Sequence, residues 1–169
     1  MYEMEEQIER VILVGVQTSD SDDMVQSLLE LRELVETAGA VAVGTVMQSR
    51  ETVHPGTYLG KGKLEELKEL IYDLDATGIV CDDELSPAQM NNLEQELECK
   101  VMDRTMVILD IFAGRARTSE GKIQVELAQL KYRAARLVGM RASLSRLTRF
   151  RSRCLGPLAA AASRADWPS

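Results

Sequence analysis

The sequence predicts an α/β fold: a small four-stranded parallel sheet with flanking helices, followed by a long helix of the coiled-coil type. Short apolar, β-branched runs alternate with stretches whose apolar residues recur at helical spacing as far as residue 116. The connections between them are short, as in parallel sheets built by right-handed crossovers. A heptad-like apolar pattern begins after residue 119 and predicts the long helix.

The strand and helix predictions rest on apolar spacing and on local end signals. The run RVILVGV (10–16) is almost entirely apolar, as expected for a strand buried on both faces. One helix has a strong start signal, with Ser86 as N-cap, Pro87 at the first position and Gln89 as capping-box partner. The predicted strands are 10–16, 40–48, 78–83 and 100–103, and the predicted helices are 21–39, 63–74, 86–98 and 104–116.

Charge is distributed unevenly along the chain. Residues 1–110 contain 8 basic and 24 acidic side chains, a formal charge of −16, whereas residues 111–169 contain 12 basic and 3 acidic ones, a formal charge of +9. This asymmetry predicts parts with different partners. We divide the chain into an α/β subdomain at 1–110, a long basic amphipathic helix at 111–147 and a tail at 148–169.

The composition favours a cytoplasmic protein. No apolar run is long enough to cross a bilayer, and the acidic start MYEMEEQIER lacks the apolar segment of a secretory signal. Cys81, Cys99 and Cys154 lie far apart and form no Cys-x-x-Cys pair, which favours reduced thiols in the cytosol. We interpret Cys81 and Cys99 as small core residues.

The loop HPGTYLGKGK (54–63) looks like a phosphate-binding loop but does not fit the Walker A pattern. Gly56 is followed by three residues rather than four before the Gly-Lys pair, and no hydroxyl residue follows the lysine. A basic loop at a helix N-terminus could still hold a phosphate, RNA phosphate included, through its amides, Lys61 and Lys63. A plain turn is the alternative, and His54, the single histidine, is interpreted as a loop residue.

Three carboxylates, Asp82, Asp83 and Glu84, follow the third predicted strand and precede a helix. Clustered carboxylates in that place could bind a cation. They could equally cap the next helix, because a helix dipole favours negative charge at its N-terminus. The sequence alone leaves both interpretations open.

The long helix carries an apolar seam, formed by Ile123, Leu127, Leu130 and Leu137. With Ala134 these residues follow the alternating four- and three-residue spacing of coiled-coil a and d positions. Burying one such leucine or isoleucine stabilises a folded or associated state by about 1.5–3 kcal/mol. An exposed seam therefore favours association with another apolar surface. The sequence offers no good second helix after it, and we therefore expect a homodimer through the unpaired helix.

Three stretches carry a resemblance to a known family: YLGKGKLEEL (58–67), DDELSPAQMNNLE (82–94) and DRTMVILDIFAGRARTSEGKIQVELAQLKYRAARL (103–137). Over about residues 8–147 the chain resembles the N-terminal domain of the HflX family of ribosome-associated GTPases. The resemblance implies an α/β domain followed by the first arm of an antiparallel helical hairpin. It also implies binding to the large ribosomal subunit and its rRNA, in ribosome splitting, rescue or biogenesis.

Residues 148–169 depart from that family pattern. Where the family continues with a Gly-rich segment, a second hairpin helix and a GTPase domain, this chain reads TRFRSRCLGPLAAAASRADWPS. We interpret the tail as derived from a frameshift or a vector, and a natural divergent end is the alternative. The resemblance implies GTP and Mg²⁺ in the full-length protein, and no cofactor, metal site or catalytic residue in this chain.

The favoured interpretation is a ribosome-binding region separated from its GTPase domain. Arg115, Arg117 and Lys122 would contact rRNA phosphates, and Lys61 and Lys63 would form a second contact. Basic side chains gain affinity for nucleic acid by releasing counterions, largely without regard to base sequence.

Three alternatives remain open at this point. In the first, Arg115 and Arg117 pair with Asp103 or Asp110 and hold their helix against the sheet. In the second, the chain is a nucleotide-binding hydrolase that uses the Gly56–Lys63 loop and the carboxylates after the third strand. In the third, it is a self-associating interaction domain whose basic helix pairs only with itself.

We predict that the chain binds no GTP with micromolar affinity. Neither a Walker A loop nor the guanine-reading Asn-Lys-x-Asp motif occurs in the sequence, and residual loop contacts cannot replace them. Calorimetry with GTP and Mg²⁺ is expected to show no stoichiometric binding. A micromolar site with a stoichiometry near one would contradict the prediction.

Overall fold

The computed structural model describes residues 8–19 and 23–137, with side chains as far as residue 135. The strands are β1 (Arg10–Gln17), β2 (Val41–Ser49), β3 (Gly78–Cys81) and β4 (Lys100–Asp103). The helices are α1 (Met24–Thr37), α2 (Lys61–Asp73), α3 (Pro87–Leu97), α4 (Arg104–Arg115) and α5 (Ser119–Leu137). The predicted α/β class with a small four-stranded parallel sheet is confirmed.

The sheet has the order β2-β1-β3-β4 and is covered on both faces. Successive strand residues point to opposite faces, so Ile12 and Ile79 pack under α2 and α3, while Val11 and Val80 pack under α1 and α4. The continuous apolar runs read from the sequence are explained by this two-sided burial. The last helix, α5, contacts both α4 and α3, and therefore passes outside the edge strand β4.

The pairing of β1 with β2 contains one irregularity. The register shifts between Val11 and Ile12, which leaves Val43 of β2 as an extra residue without an opposite partner. Gly44 follows it, and a Cβ there would lie only 2.9 Å from Cδ1 of Leu74. The missing side chain thus lets the bulged strand lie close to the end of α2.

Most predicted boundaries agree with the structure, and the differences affect the candidate site. Helix α2 begins at Lys61, two residues earlier than predicted, so this lysine belongs to the helix rather than to the loop. Strand β3 ends at Cys81, which places Asp82 and Asp83 in the following loop. The boundary proposed between residues 110 and 111 falls inside α4, and the long helix starts only at Ser119.

The tail at 148–169 and the end of the long helix lie outside the described residues. The apolar seam is on α5, as its spacing predicts, but the coiled-coil character of this helix stays a prediction.

The start of α3 carries the capping box that the sequence predicts. Oγ of Ser86 accepts the N–H of Gln89 at 3.2 Å, and Oε1 of Gln89 accepts the N–H of Ser86 at 3.0 Å. Two amides at the helix start are thereby satisfied, which fixes where α3 begins.

We predict that Ser86→Ala lowers the free energy of unfolding by about 1 kcal/mol, because the N–H of Gln89 loses its acceptor. The control is Ser86→Asp, which keeps an oxygen at the N-cap and should cost clearly less. Urea denaturation measures both changes, and equal losses in the two variants would count against the capping role.

Candidate nucleic-acid interface

Arg115, Arg117 and Lys122 lie at the corner between α4 and α5, which we call the basic corner. Helix α4 ends at Arg115, and Oγ1 of Thr118 accepts the N–H of Gly121 at 3.0 Å, which starts α5. All three basic side chains are exposed, and none forms an ion pair with another described residue. The basic corner therefore presents three positive charges to solvent.

The carboxyl group of Asp103, a suggested partner of the arginines, is occupied by other donors. Asp103 is fully buried at the end of β4, and its Oδ1 accepts the N–H of Met106 at 3.1 Å. Its Oδ2 accepts the N–H of Leu85 at 3.3 Å and the hydroxyl of Tyr132 at 2.5 Å. Asp103 thus caps α4 and ties α5 to the loop before α3.

Asp110, the other suggested partner, also faces α5 rather than the basic corner. Its Oδ1 accepts a hydrogen bond from Nε2 of Gln129 at 3.1 Å. Burial raises the pKa of Asp110 to about 6, against the opposing influence of Arg133 and Lys100. The ion pairs expected if the corner arginines held α4 against the sheet do not form, and that alternative is wrong.

The loop before α2 folds into a turn that is closed by His54 and Tyr58. Nδ1 of His54 accepts the N–H groups of Gly56 and Thr57, both at 3.1 Å. Tyr58 follows with a positive φ of 65°, and its buried hydroxyl donates to Asp83 at 2.7 Å. Two amides of the loop are therefore already used inside the turn.

Lys61 and Lys63 lie in the first turn of α2. Lys61 is exposed, whereas Lys63 pairs with Glu66 of the same helix at 2.9 Å. The N-cap Gly60 provides no side-chain acceptor, and a Cβ there would lie 2.7 Å from an Arg50 guanidinium nitrogen. Arg50 therefore adds a third positive charge, which the sequence analysis missed because only its place just after β2 signals it.

The two basic sites lie at opposite edges of the sheet. Helices α2 and α4 both begin at the carboxyl edge, which is the side of the sheet where the strands end. Helix α4 then runs back towards the amino edge, where the strands begin, since Asp110 lies near Lys100 at the start of β4. A helix of 12 residues is about 18 Å long, so the basic corner is at the amino edge. Lys61 and Lys63 therefore do not belong to the same contact surface as the basic corner.

Asp82 and Asp83, the first two carboxylates after β3, contact partners other than the start of α3, which Ser86 caps. Asp82 is buried, accepts the hydroxyl of Ser27 at 2.7 Å and pairs with Arg104 at 3.1 Å. Asp83 accepts the hydroxyl of Tyr58. Over the part of the chain that the structure describes, no group of three His, Cys, Asp or Glu side chains could hold a metal. Asp82 thus joins α4 to α1.

The apolar seam points away from α4. Ile123, Leu127 and Leu130 are 65%, 50% and 54% exposed, whereas Gln129 on the other side of α5 is buried. The side chain of Leu137, the fourth seam residue, lies outside the described side chains. The first three seam residues thus form an exposed apolar stripe one helix wide.

The two cysteines within the described ranges are free thiols in the interior. Cys81 is buried and Cys99 half-buried, and desolvation raises the pKa of both, to about 12 for Cys99. Their interpretation as small core residues is confirmed for Cys81. None of the helices between residues 23 and 137 is both long and apolar enough to span a membrane.

Two family models match the chain in succession. Residues 25–113 match the model described as GTP-binding GTPase N-terminal, and residues 115–160 match the model described as GTP-binding GTPase Middle Region. The chain therefore carries the N-terminal and middle regions that are typical of a class of GTP-binding GTPases. The second match runs past residue 147, where the sequence analysis ended the family pattern, so the boundary of the tail stays a prediction.

Named relatives narrow the class further. The chain is 71% identical over 147 residues to the GTPase HflX of Lacrimispora saccharolytica, covering 87% of this chain and 35% of that protein. It is 47% identical over 130 residues to the GTPase HflX of Escherichia coli, covering 77% and 30%. The chain belongs to the HflX family, and it spans about a third of the length of these relatives.

A solved structure shares the fold. The crystal structure of a GTP-binding protein from Sulfolobus solfataricus in complex with GDP matches with a TM-score of 0.58 and 23% identity. The match covers 78% of this chain and 39% of that chain. At this identity the likeness extends to the fold alone.

Proposed function

We propose that this chain is the region of an HflX-family GTPase that binds rRNA of the large ribosomal subunit. The exposed basic corner on an otherwise acidic chain is the observation that carries the proposal. RNA repels an acidic domain at long range, so contact requires a concentrated positive patch. Arg115 and Arg117 suit this task because a guanidinium forks onto phosphate and stacks on unpaired bases.

An orientation on RNA follows from the proposal. The basic corner would face rRNA. Arg50, Lys61 and Lys63 would form a separate contact at the carboxyl edge, reached by a different RNA segment. Because the two sites are at opposite edges, their contributions to affinity should be independent.

The catalytic activity of the full-length protein would belong to domains outside the third of its length that this chain matches. Relatives of this chain are named GTPases, and we expect GTP and Mg²⁺ to be bound by their further domains. The chain would work in the cytoplasm, in ribosome splitting, rescue or biogenesis. The hydrolase alternative has less support, because the amides of Gly56 and Thr57 and the carboxylate of Asp82 are already engaged internally.

We predict that replacing Arg115, Arg117 and Lys122 together by Ala weakens binding to large ribosomal subunits. The slope of log affinity against log salt concentration should become less steep by about two to three. For each phosphate contact that is lost, binding releases about one counterion fewer. The melting temperature should hardly change, since exposed charges contribute little stability. Sedimentation with purified subunits over a salt series provides the affinities.

The control for this experiment is the pair Arg32→Ala and Lys68→Ala, two cations carried by α1 and α2 outside both basic sites. The control should leave the salt slope unchanged. An unchanged slope in the triple variant, or an equal change in the control, would contradict RNA contact at the basic corner. Lys61→Ala with Lys63→Ala tests the second contact separately.

We also propose that two copies of this chain pair through the apolar seam. The exposed side chains of Ile123, Leu127 and Leu130 carry this proposal, since a two-fold dimer is the commonest way to bury such a stripe. Light scattering at high protein concentration is expected to report a dimer, and Leu127→Lys a monomer. The control Tyr72→Lys changes a residue that is 87% exposed on α2 and should keep the dimer. A wild-type monomer would contradict the proposal.

A further inference from the structure

Helix α4 carries an exposed aromatic ring next to the basic corner. Phe112 is 57% exposed and belongs to neither core cluster, whereas Val107 of the same helix is buried beside the sheet. Arg115 follows three residues later on α4. Side chains at that spacing are neighbours on a helix surface, with about 5–6 Å between their Cβ atoms. An apolar ring and a guanidinium therefore lie side by side where α4 ends.

The backbone of α4 fixes where this ring lies. The N–H of Ala116 donates to the carbonyl oxygen of Phe112 at 3.0 Å, which closes the last turn of the helix. In the same turn Gly114 and Arg115 are exposed. A Cβ added at Gly114 would meet no described atom within 4 Å, apart from its chain neighbours and the backbone of its own helix. The last turn of α4 is therefore rigid and open to the approach of a second molecule.

Charge distinguishes Phe112 from Tyr72, the other exposed aromatic residue in the part of the chain that the structure describes. Tyr72 lies on α2 beside the exposed carboxylates of Glu69 and Asp73, which repel a polyanion. Phe112 precedes the exposed arginines of the basic corner, which attract one. The ring of Phe112 is therefore the aromatic surface that an approaching RNA would meet.

We propose that Phe112 is a stacking platform for an unpaired base of the RNA that binds at the basic corner. The inference rests on the proposed function and adds the class of RNA, which is a bulge, a loop or a single strand rather than a continuous duplex. The bases of a duplex stack on one another, whereas an unpaired base can turn out and lie on an aromatic ring. Every base has such a face, so the platform selects unpaired RNA with little regard to base sequence.

The stacking contact and the phosphate contacts differ in their response to salt. Arg115 and Arg117 would hold the flanking phosphates, and these contacts release counterions when they form. The ring of Phe112 carries no charge, so its loss should lower the affinity by the same factor at every salt concentration. Phe112→Leu removes the ring and keeps an apolar side chain that favours a helix.

The first experiment measures binding of the whole chain to purified large ribosomal subunits by sedimentation. Phe112→Leu should weaken binding about tenfold at every salt concentration and leave the salt slope unchanged. Phe112→Trp, which restores an aromatic face, should recover most of the loss. The control Tyr72→Leu should bind as the wild type does. The melting temperature should hardly change in any of these variants, because the substituted side chains are exposed.

The second experiment separates base stacking from contact with a ribosomal protein. It uses two hairpin RNAs that differ only by one bulged adenosine, with fluorescence anisotropy as the measurement. The wild-type chain should bind the bulged hairpin about tenfold more tightly than the fully paired one, and Phe112→Leu should bind the two equally. The triple alanine variant of Arg115, Arg117 and Lys122 should bind both hairpins more weakly and keep the preference.

The outcomes distinguish this inference from the proposed function. If the wild-type chain binds the two hairpins equally, or if Phe112→Leu keeps the preference, the stacking platform is wrong and the basic corner can still stand. A loss of subunit affinity in Phe112→Leu without any preference for the bulged hairpin would assign the ring to a protein contact, and would also overturn the inference. A wild-type chain that binds neither the subunit nor either hairpin would contradict the proposed function together with the inference.

Discussion

The carboxyl group of Asp103 is fully buried at the point where four elements meet. It ends β4, caps α4 through Met106, holds the loop before α3 through Leu85 and receives the hydroxyl of Tyr132 from α5. A buried polar group left without partners costs roughly 2–7 kcal/mol, so these elements have to keep their relative positions. One polar side chain thus sets the arrangement of the carboxyl edge beside β4.

The position of the basic corner depends on this arrangement. Helix α4 follows its N-cap Asp103 and ends at Arg115, so a rigid helix holds Arg115 at the amino edge, and Arg117 follows in the short connection to α5. The basic corner lies at the end of α4, whereas the seam residues Ile123, Leu127 and Leu130 are exposed along α5.

Local features of the sequence were sufficient to predict most of the fold. Apolar runs identified the strands, and the pattern around Ser86 located the start of α3, because both signals lie within a few neighbouring residues. The contact of Tyr132 with Asp103 spans 29 residues and depends on how α5 crosses α4, which apolar spacing does not determine. The same reason hides Arg50, whose place beside Gly60 follows from the packing of a loop.

The bulge at Val43 affects whether the side of β2 that faces away from β1 can pair with a strand from another molecule. This strand is nine residues long and, among the described strands, pairs on one side only, with β1. A straight strand of that length would be a template for a strand from another molecule. The extra residue interrupts the regular spacing of its N–H and C=O groups, and the added twist makes edge-to-edge growth into larger aggregates unfavourable.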